Sequence, residues 1–227
     1  MAKPVLVIGN KNYSSWSLRP WLALRVAGVD FEEQRIPLYQ EGSREAILRH
    51  SPAGKVPVLH HGDVTVWESL AICEYAAEVL APGAGLWPED PAARAHARAI
   101  SAEMHAGFVP LRSALPMNLR AEGARVPLPP EVRADVARVV AIWEDCRARF
   151  GASGPFLFGR FTIADAMYAP VVTRFHSYGV ELPAVARAYA DAVRALPALQ
   201  EWTAAGVAEP ERMPETDAIA LSASARS

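Results

Sequence analysis

The sequence predicts an α/β domain over residues 1–82 followed by an all-helical domain over residues 91–213. Short β-type runs alternate with helical segments in the first part, as in a mixed sheet with helices on its faces. A cluster of Pro and Gly over residues 82–91 then interrupts the chain. After this cluster no strand pattern appears, and apolar residues recur at helical spacing.

The first domain is predicted to contain strands and helices in the order βαβ, helix, ββα. In chain order the segments are a buried strand at 4–9, a helix at 15–27, a strand at 31–38, a helix at 43–50, strands at 56–59 and 64–66, and a helix at 70–80. Gly28 ends the first helix, whose apolar stripe is formed by Leu18, Leu22 and Val26.

Prolines divide the second domain. Pro110 and Pro116 are expected to kink or split its first long helix, and the prolines within residues 127–130 are expected to end it. Further along, Thr162 and Asp165 have the spacing of a capping box, with Thr162 as the N-cap. We interpret this pair as folding chemistry and not as catalysis.

Composition and charge exclude several classes of function. The chain has 227 residues, 51% of them hydrophobic and 21% charged, with a net charge of -2, as in ordinary globular proteins. No run of Lys or Arg is long enough to follow a phosphate backbone, so no nucleic-acid partner is predicted. No apolar run has the length of a signal peptide or membrane span, which predicts a cytoplasmic protein with no membrane partner. Residues 214–227 have little to pack against and are predicted to be a loose tail.

Cysteine and histidine positions predict no metal site. Cys73 and Cys146 lie far apart and without ligand spacing, so we interpret both as buried small hydrophobic residues. The six histidines are scattered, apart from the adjacent pair His60 and His61.

Three serines surround a tryptophan where the first strand passes into the first helix, in the stretch NYSSWSLRPW. The free N–H groups and the positive dipole end of a helix favour an anion at such a place. A helix needs only one N-cap serine, although sequence alone leaves open that any one of them is simply that cap. The surplus hydroxyls of Ser14, Ser15 and Ser17 indicate a second role.

The stretch SSWSLRPWLAL is similar to the SSCSxR loop of zeta-class glutathione transferases, with Ser14, Ser15, Ser17 and Arg19 at matching positions. Four further segments resemble that superfamily in the same order: SPAGKVPVL, WESLAICEY, LWPEDPAARA and GRFTIADAMYAP. Each segment alone has low specificity, but the ordered set covers most of the chain. The resemblance implies a thioredoxin-like amino-terminal domain followed by an all-helical domain, glutathione as co-substrate, and a homodimer.

The resemblance also implies a catalytic serine. A hydroxyl that donates to the glutathione sulfur would stabilise the thiolate, which attacks an apolar electrophile. Matching the zeta loop favours Ser14 for this role, whereas counting back from the helix arginine of other serine-type classes favours Ser15. We take Ser14 as the first candidate and Ser15 as the second, and the neighbouring phenol of Tyr13 is a further alternative donor.

Five other residues are implied to bind glutathione. The bond between Val56 and Pro57 would be a cis-proline turn that leaves the Val56 backbone free to pair with the cysteinyl part of the ligand. Lys55 would lie near the glycine carboxylate. Glu68 would bind the ammonium of the γ-glutamyl group, and Ser69 its carboxylate.

The sequence departs from the zeta pattern at residues that are expected to lie around the second-substrate pocket. Trp16 replaces a cysteine, which weighs against disulfide exchange and makes Trp16 a candidate wall of the pocket. Zeta-type maleylacetoacetate isomerases hold a substrate carboxylate through an arginine; here Ser177 aligns with that position and Arg174 lies one turn earlier. This departure weakens the assignment of an isomerase of that type, which stays as an alternative. A noncatalytic binding protein with this fold is the other alternative. The apolar residues expected to line the pocket are Met104, Phe108, Met117, Tyr168 and Phe175.

Overall fold

The computed structural model describes residues 2–224, with side chains up to residue 220. Four strands form the sheet of the first domain: β1 (Val5–Ile8), β2 (Glu32–Arg35), β3 (Val58–His61) and β4 (Val64–Trp67). Their order is β2-β1-β3-β4, with β1 and β2 parallel and the other two pairings antiparallel. The predicted mixed sheet is confirmed.

Helices cover both faces of this sheet. They are α1 (Ser15–Val26), α2 (Ser43–Leu48) and α3 (Ser69–Tyr75), and α3 continues as a π-helical segment over Ala76–Leu80. Because successive side chains of a strand point to opposite faces, Leu6 and Ile8 join the main core with α1 and α3. Val7 instead packs with Ile47 of α2. The serine loop consequently lies at the end of β1, directly before α1.

The second domain is entirely helical apart from isolated bridges near residue 158. Its helices are α4 (Pro91–Ala106), α5 (Val109–Ala114), α6 (Pro130–Phe150), α7 (Ile163–Ser177), α8 (Ala184–Arg194), α9 (Pro197–Ala208) and α10 (Pro214–Ser224). Gly107 and Phe108 interrupt the helix between α4 and α5. Pro110 therefore falls in the first turn of α5 and does not kink a long helix. Among residues 2–224, no helix combines the length and apolarity needed to span a bilayer.

The central helix of this domain is α7, which packs against α1 and α4. The predicted capping box at its start is confirmed. One carboxylate oxygen of Asp165 accepts hydrogen bonds from the Thr162 backbone N–H at 2.8 Å and the Thr162 hydroxyl at 3.0 Å. The other oxygen accepts the Leu157 N–H at 3.1 Å. The box fixes the start of the helix that carries Arg174 toward the first domain.

The prediction of a loose tail over residues 214–227 is wrong for residues 214–224, which form α10. The Asp217 carboxylate accepts hydrogen bonds from the Tyr13 hydroxyl at 3.0 Å and the Asn118 amide at 2.9 Å. Ala220 packs into a small apolar cluster with Leu115 and Tyr178. Residues distant in sequence thus supply the partners that the tail lacks locally. Residues 225–227 lie outside the described part of the chain.

Candidate functional site

A cleft of about 810 Å³ opens at the amino-terminal end of α1. All seven residues that the sequence assigned to glutathione line this cleft: Ser14, Ser15, Lys55, Val56, Pro57, Glu68 and Ser69. Trp16 also lines it. Gln40, Arg44, His105 and Met213 contribute to the lining as well, and the sequence did not single them out for the site.

The residues expected to form an apolar second-substrate pocket in the helical domain do not line this cleft. Met104, Phe108, Met117, Tyr168 and Phe175 all belong to the main hydrophobic core. Phe108 is 8% exposed and follows α4 in a left-handed conformation, with a φ of 58°. Arg174 lies behind Ser15 and is also absent from the lining.

The turn before β3 contributes backbone and positive charge to the cleft. The peptide bond between Val56 and Pro57 is cis. The backbone N–H of Lys55 donates to the Ser51 hydroxyl at 3.2 Å, which fixes the turn. The Lys55 and Arg44 side chains are both exposed and line the cleft. Two cations at one opening favour a ligand that carries a carboxylate.

The junction between β4 and α3 presents a carboxylate and a hydroxyl to the cleft. Glu68 has a φ of 69°, a left-handed backbone that is strained for a residue with a side chain. Ser69 is 1% exposed, and its hydroxyl has no hydrogen-bond partner among the residues that the structure describes. A buried hydroxyl without a partner costs stability, so this position suits a polar ligand that bonds it.

The serine loop contains two hydroxyls that hydrogen-bond each other and a third that hydrogen-bonds an arginine of the second domain. Ser14 is the N-cap of α1: its Oγ accepts the Ser17 N–H at 3.3 Å and lies 2.8 Å from the Ser17 Oγ. Ser17 Oγ in turn accepts the Gly9 N–H at 3.1 Å. Ser15 Oγ accepts a hydrogen bond from Arg174 Nη2 at 3.1 Å. Within residues 2–220, nothing accepts the hydroxyl proton of Ser15.

A group of three arginines, Arg19, Arg112 and Arg174, lies beneath this loop. Arg19 is 0% exposed and Arg174 is 4% exposed. Neither of these two forms an ion pair with any described carboxylate. Burial, followed by repulsion from Arg174 and Arg112, lowers the pKa of Arg19 to about 9. Burial and repulsion from Arg112 lower the pKa of Arg174 to about 10. Both guanidinium groups are therefore still charged at neutral pH.

Trp16 packs against this positive group. Its ring centroid lies 4.2 Å from the Arg19 Cζ and 5.3 Å from the Arg112 Cζ. Cation–π contacts of this kind strengthen when they are removed from water. Trp16 is thereby held in one place at the edge of the cleft.

His105 of α4 is a cleft residue that sequence reasoning missed. Its Nε2 lies 3.4 Å from a Glu68 carboxylate oxygen, and its ring is 5.1 Å from the Trp16 ring. Burial, and then the charge of Arg19, lower the pKa of His105 below its ordinary value, against an opposing effect of Glu68. No local motif marks this histidine, because it reaches the cleft only through the packing of α4 on the first domain.

The loop before the serines is held by the carboxy-terminal segment. The Tyr13 hydroxyl donates to Asp217 and accepts from Arg120 Nη1 at 3.0 Å and from the Met213 N–H at 3.1 Å. These bonds occupy the phenol, so Tyr13 is not available as the thiolate donor. The Glu209 carboxylate accepts the backbone N–H groups of the two residues before Tyr13, Lys11 and Asn12, at 2.7 and 3.1 Å.

Comparison with known proteins identifies the class to which this fold and cleft belong. The chain matches the family model described as the glutathione S-transferase N-terminal domain over residues 13–79, and that of the C-terminal domain over residues 119–205. The maleylacetoacetate isomerase of Rattus norvegicus is 30% identical over 95% of this chain and 96% of its own length. A probable maleylacetoacetate isomerase of Caenorhabditis elegans is 39% identical over about half of each protein, 49% of this chain and 50% of the relative.

Solved structures share the fold. A tau-class glutathione S-transferase from mango, Mangifera indica, superposes with a TM-score of 0.68 at 24% identity and 99% coverage of both chains. A glutathione transferase homologue from Burkholderia, solved with bound glutathione, has a TM-score of 0.68 at 22% identity, with 91% of this chain and 98% of that one covered. The architecture is thus that of a thioredoxin-like domain followed by a helical one. The chain belongs to the cytosolic glutathione transferase superfamily, an enzyme family, within which it is zeta-like.

Proposed function

We propose that this protein is a glutathione transferase in which Ser15 stabilises the glutathione thiolate for attack on an electrophile with an apolar body. One observation carries the assignment of the serine. Ser15 lines the cleft, and its hydroxyl accepts a bond from Arg174 while its own proton has no acceptor among the described residues. Ser14 Oγ instead caps α1 and shares a hydrogen bond with Ser17 Oγ, in which either hydroxyl can be the donor.

The lining of the cleft supports glutathione as the co-substrate. Glu68 and the unpartnered Ser69 hydroxyl offer an acceptor and a donor for the ammonium and carboxylate of the γ-glutamyl group. The cis turn of Val56 and Pro57 presents backbone for the cysteinyl residue, and Lys55 lies near for the glycine carboxylate. Placed in this order, the ligand brings its sulfur to the serine loop.

The energy of one hydrogen bond is enough for activation. A hydrogen bond to a charged group contributes about 1.5 to 3 kcal/mol. At about 1.4 kcal/mol per pKa unit, this lowers a thiol pKa of ~8.5 by about one to two units. Between about a quarter and three quarters of the bound thiol is then ionised at neutral pH, and the serine itself keeps its proton.

The apolar part of the electrophile is expected to lie against Trp16. This ring lines the cleft beside the serines, as do Tyr13 and Met213. Its position is fixed by the arginines behind it, so it offers a rigid apolar surface next to the sulfur.

The decisive experiment is a pH titration of bound glutathione, followed by thiolate absorbance in the ultraviolet. For the unmodified protein we expect a thiol pKa one to two units below that of free glutathione. Ser15→Ala is expected to restore the free value, whereas the matched variant Ser14→Ala should leave the shift largely in place.

Three outcomes contradict this proposal in different ways. Loss of the shift in Ser14→Ala alone would move the role to Ser14. Binding of glutathione without ionisation would leave the serines as a helix cap only. Failure to bind glutathione at millimolar concentration would favour a noncatalytic protein that uses the fold to bind another partner.

A second candidate is glutathione-dependent cis/trans isomerisation of a small dicarboxylate, which the relation to the rat maleylacetoacetate isomerase favours. Isomerisation returns glutathione unchanged, whereas conjugation consumes it. Incubation with maleylacetoacetate and limiting glutathione therefore separates the two activities. Turnover of many substrate molecules per glutathione would establish the isomerase, and no turnover of maleylacetoacetate would exclude it.

A further inference from the structure

We propose that Arg174 is a positioning residue, which directs the Ser15 hydroxyl proton toward the glutathione sulfur and strengthens it as a donor. This inference rests on the proposed function and adds to it a residue from the helical domain. The roles proposed above for the cleft residues do not include it, because Arg174 is not part of the cleft lining.

The geometry places Arg174 behind the serine and not beside the ligand. Its Nη2 donates to Ser15 Oγ at 3.1 Å, across the interface between α7 and α1. A serine hydroxyl has one proton to donate and two lone pairs that accept. Since a guanidinium group has no acceptor, the Ser15 proton has to point away from Arg174. Ser15 lines the cleft, so its proton has an acceptor there once a thiolate is bound.

The charge of Arg174 makes Ser15 a better donor. Hydrogen bonds that form a chain polarise one another, and a hydroxyl that accepts from a cation donates more strongly. Arg174 is 4% exposed, and its Nε and Nη1 have no partner among the described residues. Since no described carboxylate pairs with it, its charge acts on Ser15 in surroundings of low dielectric constant.

The test is the same absorbance titration on Arg174→Met, which keeps the bulk of the side chain but removes its charge and donors. We expect the pKa of bound glutathione to rise by about one unit, a roughly tenfold change in the ionisation equilibrium. The rate of conjugation should fall about three- to eightfold at pH 7, in proportion to the thiolate fraction, and approach that of the unmodified protein at a pH above both thiol pKa values. A purely structural defect would lower the rate at every pH.

Arg19→Met is the matched control, because Arg19 is also buried and has no hydrogen-bond partner among the described residues, but it contacts the Trp16 ring and not Ser15. Each arginine variant is combined with Ser15→Ala in a double-mutant cycle. The effect of Arg174→Met should disappear in the Ser15→Ala background, whereas any effect of Arg19→Met should persist there. If Arg174→Met does not fold, Arg174→Gln replaces it in the same cycle, and its effect must likewise disappear.

Two results would overturn the inference. One is an unchanged thiol pKa in the Arg174 variant while Ser15→Ala still abolishes the shift; the proposed function would then stand without Arg174. The other is a change in the thiol pKa on Arg174→Met that is equal with and without Ser15. The charge of Arg174 would then act directly on the thiol and not through the serine. If the unmodified protein does not lower the pKa of bound glutathione at all, the proposed function itself fails.

Discussion

The Asp165→Ala variant is expected to lose about 3 to 5 kcal/mol of the free energy of unfolding, measured by urea denaturation at pH 7. Asp165 is 0% exposed, and its carboxylate accepts the N–H groups of Leu157 and Thr162 as well as the Thr162 hydroxyl. Alanine leaves these donors buried without a partner. Because α7 starts at this box, the variant is also expected to loosen the helix that carries Arg174.

The same residue gives stability a defined dependence on pH. Burial raises the pKa of Asp165 from 3.8 to about 6, although its hydrogen bonds act in the opposite direction. Between these two values the folded state binds the proton more tightly than the unfolded state does. The contribution of Asp165 to stability therefore falls as the pH rises from about 4 to about 6, and it is constant above that range.

Asp165→Asn is the control for this dependence, since it retains a side-chain acceptor and does not titrate. It should lose less stability than Asp165→Ala at pH 7. The difference in unfolding free energy between the unmodified protein and this variant should change between pH 4 and pH 6. A difference that stays constant over this range would show that the carboxyl group does not titrate there.

Much of the fold follows from patterns that are local in sequence. The buried run of β1, the stripe of α1 and the capping box of α7 each lie within a few residues, so periodicity and spacing predict them. The residues of β2, Glu32–Arg35, are all polar. Apolar residues flank them on both sides, and these predict the strand. The cleft residues that resemblance supplied also lie in short contiguous motifs.

The parts that sequence did not predict depend on contacts between distant residues. Arg174 and Ser15 are 159 positions apart, and Tyr13 and Asp217 are 204 apart. No periodicity records such a pairing. His105 reaches the cleft, and Phe108 turns into the core, only because of the way α4 and α5 meet the rest of the molecule. An apolar residue in sequence fits a pocket wall and a core equally well, and only packing separates the two.

Glu209→Ala is expected to weaken both the fold and the glutathione site, because Glu209 joins the segment after α9 to the loop before the serines. Glu209 is 8% exposed, and its carboxylate accepts the backbone N–H groups of Lys11 and Asn12. We expect a loss of about 2 to 4 kcal/mol in the free energy of unfolding, since two charge-assisted bonds are removed from a buried loop. The affinity for glutathione, measured by titration calorimetry, should fall as well, because this loop leads directly into Ser14 and Ser15.

Glu211→Ala is the matched control, two residues further along the same segment. Among the other described residues, the Glu211 carboxylate bonds two side chains, those of Arg35 at 2.9 Å and Asn10 at 3.3 Å. Partly exposed pairs of this kind contribute at most about 1 kcal/mol, and no backbone N–H of the loop depends on them. If Glu209→Ala unfolds and binds glutathione like Glu211→Ala, the carboxy-terminal segment does not hold the loop. A selective effect of Glu209 would mean that the segment after α9 supports the loop that leads into the candidate catalytic serines, Ser14 and Ser15.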